Sequence, residues 1–491
     1  MSEYMFLVIL LIPVIAGLIV KFGPFKEEKQ WKILLEVLLI INSILVWMLL
    51  INRPSEVFTL VRFSGNLSIQ FKIDGLSMVF AGLVASLWPL ATLYSFEYMT
   101  KEERRETFFM FYSITYSVTL GIALSANPLS MYVFYEMLTL VTTPLVMHTL
   151  SREAILASRK YLYYSLGGAA FAFISLVFIL VYGNGEDFTF GGILDPNLIG
   201  SRTNILLLIY VFAFLGFGVK AAICPFNSWL PAAGVAPTPV TALLHAVAVV
   251  KAGAFAVIRL TYYCYGTEFL RGTWAQNVVM LITMFTIVYG CSRAVKETHI
   301  KRRLAYSTIS NLSYILFGVT IMTPAGLIGA LAHMVFHAVM KICSFFCAGS
   351  IMHVTEKHYV HELDGIGRKM PGVMSIFTFS AFALMGVPGL CGFISKFYLA
   401  DAAVESGNTV AYWGIACLLV SALLTAIYML SIVMRAFFPN KDFDYSVWDG
   451  IKDPSWMMMV PLTLFVVAMI IFGLNSSPLV EFFTKIANGL M

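Results

Sequence analysis

Residues 216–259 read GFGVKAAICPFNSWLPAAGVAPTPVTALLHAVAVVKAGAFAVIR. The stretch is apolar enough for a bilayer, yet it carries Lys220, His245 and Lys251, with prolines at 225, 231, 237 and 239. A charge at the bilayer centre costs at least ~2.5–3.5 kcal/mol. Two lysines kept there, on either side of a proline-rich interruption, are read as proton-carrying groups of an ion-translocating membrane protein.

The flanking sequence agrees. Of 491 residues, 59% are hydrophobic and 12% charged, where a soluble domain carries about 25% charged residues. Apolar runs of about 20 residues recur, and no polar stretch is long enough to build a soluble domain. The expected class is an all-α polytopic membrane protein. Fourteen spans are predicted, near 5–22, 33–52, 74–96, 107–126, 128–149, 161–183, 203–224, 239–263, 274–293, 304–322, 325–351, 372–400, 410–436 and 457–474. The first run lacks a basic leader and a cleavage site and is read as a retained helix. The first three spans and the last are expected to face lipid, with Glu36 reaching the cytoplasmic interface and Asp74 serving the start of span three.

Charge placement sets the sidedness. Of the 32 lysines and arginines, 21 fall in one set of alternate connections and 7 on the other side. The remaining four, Lys220, Lys251, Lys341 and Lys396, lie inside spans. The positive-inside rule puts the richer side, with Lys101, Arg104, Arg105, Lys301, Arg302 and Arg303, in the cytoplasm. Both termini then lie outside a cell membrane. The net charge of +5 follows this sidedness and does not point to nucleic acid.

Span five (NPLSMYVFYEMLTLVTTPLVM) carries Glu136, which needs a partner, and Lys220 of span seven is the one expected. Gly216 and Gly218 before Lys220, with Pro225 after it, predict a discontinuous helix whose freed backbone groups line a cavity. Span twelve (FALMGVPGLCGFISKFYLA) repeats the device with Pro388 and Gly389 ahead of Lys396. The lysine precedes the proline in one span and follows it in the other, as in an inverted repeat. The proposed units are spans 4–8 (107–263) and 9–13 (264–436), flanked by an N-terminal three-helix segment (1–106) and a C-terminal helix and tail (437–491). In span eight, His245 and Lys251 are six residues apart, about 240° around a helix, so they read as successive positions on a wetted path. In span eleven, His333, His337 and Lys341 share one helix face.

No metal site is expected. Lysine is not a usual ligand, and two histidines at i, i+4 without H-E-x-x-H are a poor zinc signal. The seven cysteines, including the Cys343/Cys347 pair, read as small packing residues. With no Walker A run, haem-attachment motif or cysteine cluster, neither a cofactor nor a redox centre is expected, and the energy must come from elsewhere.

These residues resemble the antiporter-like membrane subunits shared by respiratory complex I, Mrp-type cation/proton antiporters (D-type above all) and membrane-bound NiFe hydrogenases. The resemblance is carried by Glu136, by Lys220 with Pro225 and the Trp229–Leu230–Pro231 run, and by APTPVTALLHAVAVVKAG, IKRRLAYSTISNLSYI (300–315), HMVFHAVMK, LDGIGRKMP (363–371) and GFISKF (392–397), in order over roughly residues 70–440. It implies fourteen helices with two inverted five-helix repeats and a proton path through Glu136, Lys220, Lys251, His337, Lys341 and Lys396, assisted by His245 and His333. Glu136 and Lys220 would form a modulating ion pair, Lys251 the central relay and Lys396 the exit-side group. It implies other membrane subunits as partners, with a hydrogenase or quinone-reductase arm, and H+ with or without Na+ as the transported ion. Asn227 and Gly234 stand where the family commonly has histidine, which removes any titrating role at those positions. A sodium- or potassium-driven antiporter subunit is the alternative implied by the same resemblance.

The sidedness has a direct check. In a background freed of reactive native thiols, cysteine substituted for Arg104 is expected to react with an impermeant maleimide only once the cytoplasmic face is opened. Cysteine at Ser201 is expected to react from outside, and the reverse pattern inverts the topology.

Overall fold

The computed structural model describes residues 2–54, 56–65 and 67–491. It is helical almost throughout. The N-terminal segment comprises α1 (Ser2–Phe22), α2 (Glu28–Asn52), the antiparallel hairpin β1 (Phe58–Ser64) and β2 (Leu67–Phe71), and α3 (Gly75–Tyr98). Next come α4 (Arg105–Leu124), α5 (Pro128–Val146), α6 (Arg152–Tyr182), the short α7 (Pro196–Ile199), α8 (Thr203–Gly218) and the short α9 (Trp229–Ala232). The chain continues through α10 (Thr238–Ala246), α11 (Val249–Ile258), the short α12 (Thr267–Leu270), α13 (Trp274–Lys296), α14 (Ile300–Ile321) and α15 (Pro324–Thr355). It closes with α16 (Pro371–Met385), α17 (Cys391–Glu405), α18 (Thr409–Phe437), α19 (Trp456–Leu474) and α20 (Ser477–Ala487). Among the described residues, 13 helical stretches are long and apolar enough to cross a membrane. The place expected for the twelfth span is taken by two shorter helices, α16 and α17.

The helix starts follow capping chemistry. Asn127, ahead of Pro128, accepts from the Ser130 N–H at 2.8 Å, and Thr323, ahead of Pro324, accepts from Gly326 at 3.1 Å, so each side chain satisfies an orphan donor of the first turn. Between spans two and three, Phe58–Ser64 and Leu67–Phe71 pair as the hairpin. It is pinned to α5, where Asn127 Nδ2 donates to the Ser68 carbonyl at 3.0 Å and Gln70 N–H donates to Ser130 Oγ at 2.7 Å.

At 32 residues, α15 spans about 48 Å. It runs through the middle, against α3, α10, α14, α16, α17, α19 and α20. Helices α1, α2, α6, α18 and α19 lie outside and present Ile51, Leu423 and Trp413, each 68–72% exposed, as a hydrocarbon environment permits. The expectation for α3 needs correcting. It is mostly buried, because α2, α4, α15 and α19 enclose it.

Asp74 caps α3 by accepting from Ser77 N–H at 2.8 Å, and it also takes Arg259 in a bidentate pair at 2.5 and 2.8 Å. Arg259 is fully buried, bonds Ser77 Oγ at 3.0 Å and stacks near Phe188, Phe255 and Tyr263. It therefore does not belong to the outer-surface charges, as the charge count had placed it. Asp74 is the reason, since it supplies a planar, two-oxygen partner for the guanidinium inside the bundle. Arg259 also opens a π-helical turn, Arg259–Tyr265, that no local sequence signal announces. Deleting one partner of a buried pair costs about 3–5 kcal/mol. Asp74→Asn and Arg259→Met are each expected to lower the detergent-solubilised unfolding midpoint sharply, read by tryptophan fluorescence. A wild-type midpoint in both would mean that the pair contributes nothing.

Candidate functional site

The site is built from three interruptions and one continuous helix. The continuous helix is α15, which carries His333, His337 and Lys341 on one face, all fully buried. Lys251 of α11 reaches that face. Its Nζ lies 2.6 Å from His337 Nδ1, and neither residue is exposed to solvent. Either nitrogen can be the donor in this contact, depending on the His337 tautomer. His337 and His333 stack with centroids 5.7 Å apart, and His333 Nδ1 sits 2.9 Å from Ser395 Oγ of α17. The Nε2 atoms of both histidines are buried without a protein partner.

On the other side of His337, Lys341 Nζ donates to Ser307 Oγ at 2.7 Å, and Ser307 shares a 2.6 Å hydrogen bond with the Tyr428 hydroxyl. Lys396 closes the far end. From the second half of the split helix it reaches back to the Leu384 and Met385 carbonyls at 2.7 and 2.9 Å, and it lies 5.6 Å from the Tyr314 ring centroid. Those carbonyls are orphaned because α16 stops at Gly386, whose φ of +91° suits glycine. Pro388 and Gly389 lie within this break, as expected.

The break near Lys220 differs in position. Helix α8 ends at Gly218, and Lys220 follows in a run of turns in which Ala222 has φ +56°. Pro225 comes several residues after the helix has ended, so it prevents resumption without causing the stop. The freed carbonyls are satisfied by side chains: the Tyr135 hydroxyl donates to Phe217 O at 3.0 Å, and Trp229 Nε1 donates to Val219 O at 2.8 Å. Such solvation is what irregular backbone needs at membrane depth.

The expected Glu136–Lys220 ion pair is not formed among the described residues. Lys220 Nζ instead donates to the Tyr135 carbonyl and lies over the Tyr135 ring, 3.4 Å from its centroid. Successive helical residues point about 100° apart, so while Tyr135 faces inward, Glu136 turns to the half-buried side next to Met137, which is 39% exposed. Its Oε1 is buried without a partner, and the charge acting on it is that of Lys220.

A third interruption was not foreseen. Span eight divides between His245 and Lys251: the Ala248 N–H bonds back to Leu243 O, and helical bonding resumes with Ala252 N–H to Ala248 O. No proline marks this slip, so the spacing of about 240° does not describe how the two side chains are related. His245 is fully buried, edge-on to Phe345 at 4.9 Å, and neither ring nitrogen has a protein partner.

The site therefore brings together Lys251, His337, His333, Lys341 and Lys396, with His245 and Lys220 on its flanks and Glu136 set to one side. The residues that reading missed, Tyr135, Ser307, Ser395 and Tyr428, are ordinary hydroxyl-bearing residues in helices with no local mark. Gly253 shows how closely the parts are fitted. A Cβ there would lie 2.5 Å from Ala221 N and 2.9 Å from the Lys220 carbonyl carbon. Gly253→Ala is expected to force the Lys220 segment off α11 at a cost of about 1–3 kcal/mol. Ion transport should fall with it although every charged residue is retained, and full transport at unchanged thermal stability would show that the two segments are free to separate.

The family described as NADH:quinone oxidoreductase/Mrp antiporter, TM, matches residues 125–425, and NADH-Ubiquinone oxidoreductase (complex I), chain 5 N-terminus, matches residues 62–109. NADH-quinone oxidoreductase subunit N of Desulforudis audaxviator (strain MP104C) is 29% identical over 427 residues, covering 84% of this chain and 83% of that one. Na(+)/H(+) antiporter subunit A1 of Staphylococcus haemolyticus (strain JCSC1435) is 28% identical over 432 residues, covering 83% of this chain and 52% of that relative, so this chain spans about half its length. In fold, a chain of the membrane-bound sulfane sulfur reductase, an archaeal respiratory membrane complex, superposes with a TM-score of 0.84 at 20% identity, covering 99% of this chain and 97% of that one. With a family match over more than half its length, this chain belongs to the NADH:quinone oxidoreductase/Mrp antiporter family of membrane subunits.

Proposed function

We propose that the chain moves protons as the antiporter-like subunit of a redox-driven membrane complex, of the hydrogenase or quinone-reductase type. The observation that carries this reading is the fully buried contact of 2.6 Å between Lys251 Nζ and His337 Nδ1. A carboxylate partner would favour the ammonium form of the lysine. A lysine paired with a neutral base makes a proton-exchange couple, because either nitrogen of the contact can act as the donor. From this couple one route leads through His333 to Lys396 and another through Lys341 to Ser307 and Tyr428. Sites this close titrate as a set. Lys220 is the group on the Glu136 side. The Glu136 carboxylate biases it through space rather than by contact, so displacement of either segment changes what Lys220 holds.

The two breaks give the residues an inverted order, which supports two units at 107–263 and 264–436, with α16 and α17 together making the fourteenth crossing. The partners are other membrane subunits and a redox arm that supplies the energy. The chain would lie in the cell membrane with both termini outside, and a sodium/proton antiporter subunit is the second reading, favoured by the Staphylococcus relative. The two readings separate on whether proton uptake by vesicles carrying the assembled complex follows electron donor or a sodium gradient.

In those vesicles Lys251→Ala is expected to abolish proton translocation while the complex still assembles. Lys220→Ala and Glu136→Ala are expected to reduce it severely. Undiminished pumping in all three variants removes the relay.

A further inference from the structure

Lys301 stands among the cytoplasmic-side charges in sequence, yet it is only 5% exposed. The contrast with its neighbour is informative. The Arg302 side chain is 48% exposed and pairs with Glu297 at 3.6 Å, as a long basic side chain at a membrane interface ordinarily does. Lys301 turns inward and donates to the Ala236 carbonyl at 2.8 Å. No carboxylate pairs with it directly among the described residues, so its amino group is held inside by one carbonyl, where an ammonium is expensive.

The Ala236 carbonyl is shared. Thr241 Oγ1 donates to it at 3.1 Å. Thr241 and His245 are one turn apart on the same face of α10, and His245 is the fully buried imidazole whose two nitrogens lack protein partners. The positive groups acting on His245 are Lys341 of α15 and Lys301 of α14, and the Leu230 backbone also acts on its ring. On the outer side, the charge acting on Lys301 is that of Glu102, which sits half-buried between α3 and α4. Burial raises the Glu102 carboxyl above the ordinary carboxylate range, and Lys301 pulls it back. The other groups around this column are the Tyr98 hydroxyl, bonded to Thr238 Oγ1 at 3.0 Å, and Lys341.

We infer that Glu102 and Lys301 form the cytoplasmic proton intake of this subunit, delivering protons past Thr241 to His245 and from there to the α15 relay. The inference rests on the proton-translocating reading given above. Glu102 takes a proton from the cytoplasm and passes it to the Lys301 amine. The ammonium gives it to one nitrogen of His245, and the imidazolium releases the proton of its other nitrogen toward Lys341 and His337. Each step transfers one proton and returns each group to its starting state. An imidazole suits a pass-through group because one ring nitrogen can receive a proton while the other releases one.

The test exploits the difference between arginine and lysine. Lys301→Arg keeps the positive charge and a donor for the Ala236 carbonyl, but a guanidinium does not give up its proton. In vesicles carrying the assembled complex, Lys301→Arg and Lys301→Met are both expected to slow proton uptake from the cytoplasmic side by about tenfold or more, and Lys301→His to restore a substantial part. A wild-type rate for Lys301→Arg with a slow Lys301→Met would mean that Lys301 only anchors the Ala236 loop, and the inference falls. If the Lys301 variants fail to assemble, Glu102→Gln at the surface decides: a loss of similar size supports the intake and a full rate overturns it. Lys251→Met in the same vesicles separates the two levels. Lost transport there with an undiminished Lys301→Arg rate removes the intake alone, whereas full transport in Lys251→Met removes the translocating reading itself.

Discussion

A lysine inside a hydrocarbon slab must be solvated by something other than water, and this constraint shapes the bundle. The four intramembrane lysines meet it in two ways. Lys220 and Lys396 are held by backbone carbonyls, of Tyr135 in one case and of Leu384 and Met385 in the other. Lys251 and Lys341 are held by side chains, His337 and Ser307. None has a carboxylate within ion-pair distance among the described residues. A carboxylate would lock the ammonium in place, whereas a carbonyl, a hydroxyl or an imidazole satisfies it without fixing its charge.

Carbonyl solvation is available for Lys396 because α16 is broken. The split leaves the last carbonyls of α16 without intrahelical partners, and Lys396 turns back to use them. At the other break, Tyr135 works in both directions. Its hydroxyl satisfies the freed Phe217 carbonyl, while its own carbonyl receives Lys220. The interruption of α8 and the placement of its lysine are therefore one feature, held against α5. Gly253 extends this to α11, since only a residue without a side chain lets α11 lie against the Lys220 segment. Helix α5, the Lys220 segment and α11 are thus packed in one unbroken series of contacts, and α11 carries the Lys251–His337 contact.

The rest of the molecule holds this axis in register. The buried Asp74–Arg259 pair joins the start of α3 to the end of α11, and α15 runs through the centre as an uninterrupted ruler on which His333, His337 and Lys341 keep fixed spacing. A membrane potential of ~100 mV is worth ~2.3 kcal/mol per charge moved, so small changes in the environment of a titrating group are of the size needed to couple to it. No redox or nucleotide motif is legible in the chain, and its family spans quinone-reductase and antiporter complexes. One proton-handling subunit can serve different energy sources when the energy arrives mechanically or electrostatically from neighbours.

Composition and hydropathy alone determined that the chain is a multi-pass helical bundle, because the length of an apolar run answers directly to bilayer thickness. Single residue types in apolar context were equally legible: each buried lysine and histidine stood out, and the i, i+4, i+8 face of α15 follows from helix geometry. Glycine and proline marked two of the three interruptions, although the stop at Gly218 lies upstream of the proline that signalled it. What only the tertiary structure decided was pairing. Nothing local says that Lys251 meets His337, that Lys220 takes a carbonyl in preference to Glu136, or that Arg259 and Lys301 turn inward while Arg302 turns out. Those outcomes depend on which helix lies opposite, and a lone lysine carries the same letter whether its neighbour is lipid headgroup, imidazole or the end of a broken helix.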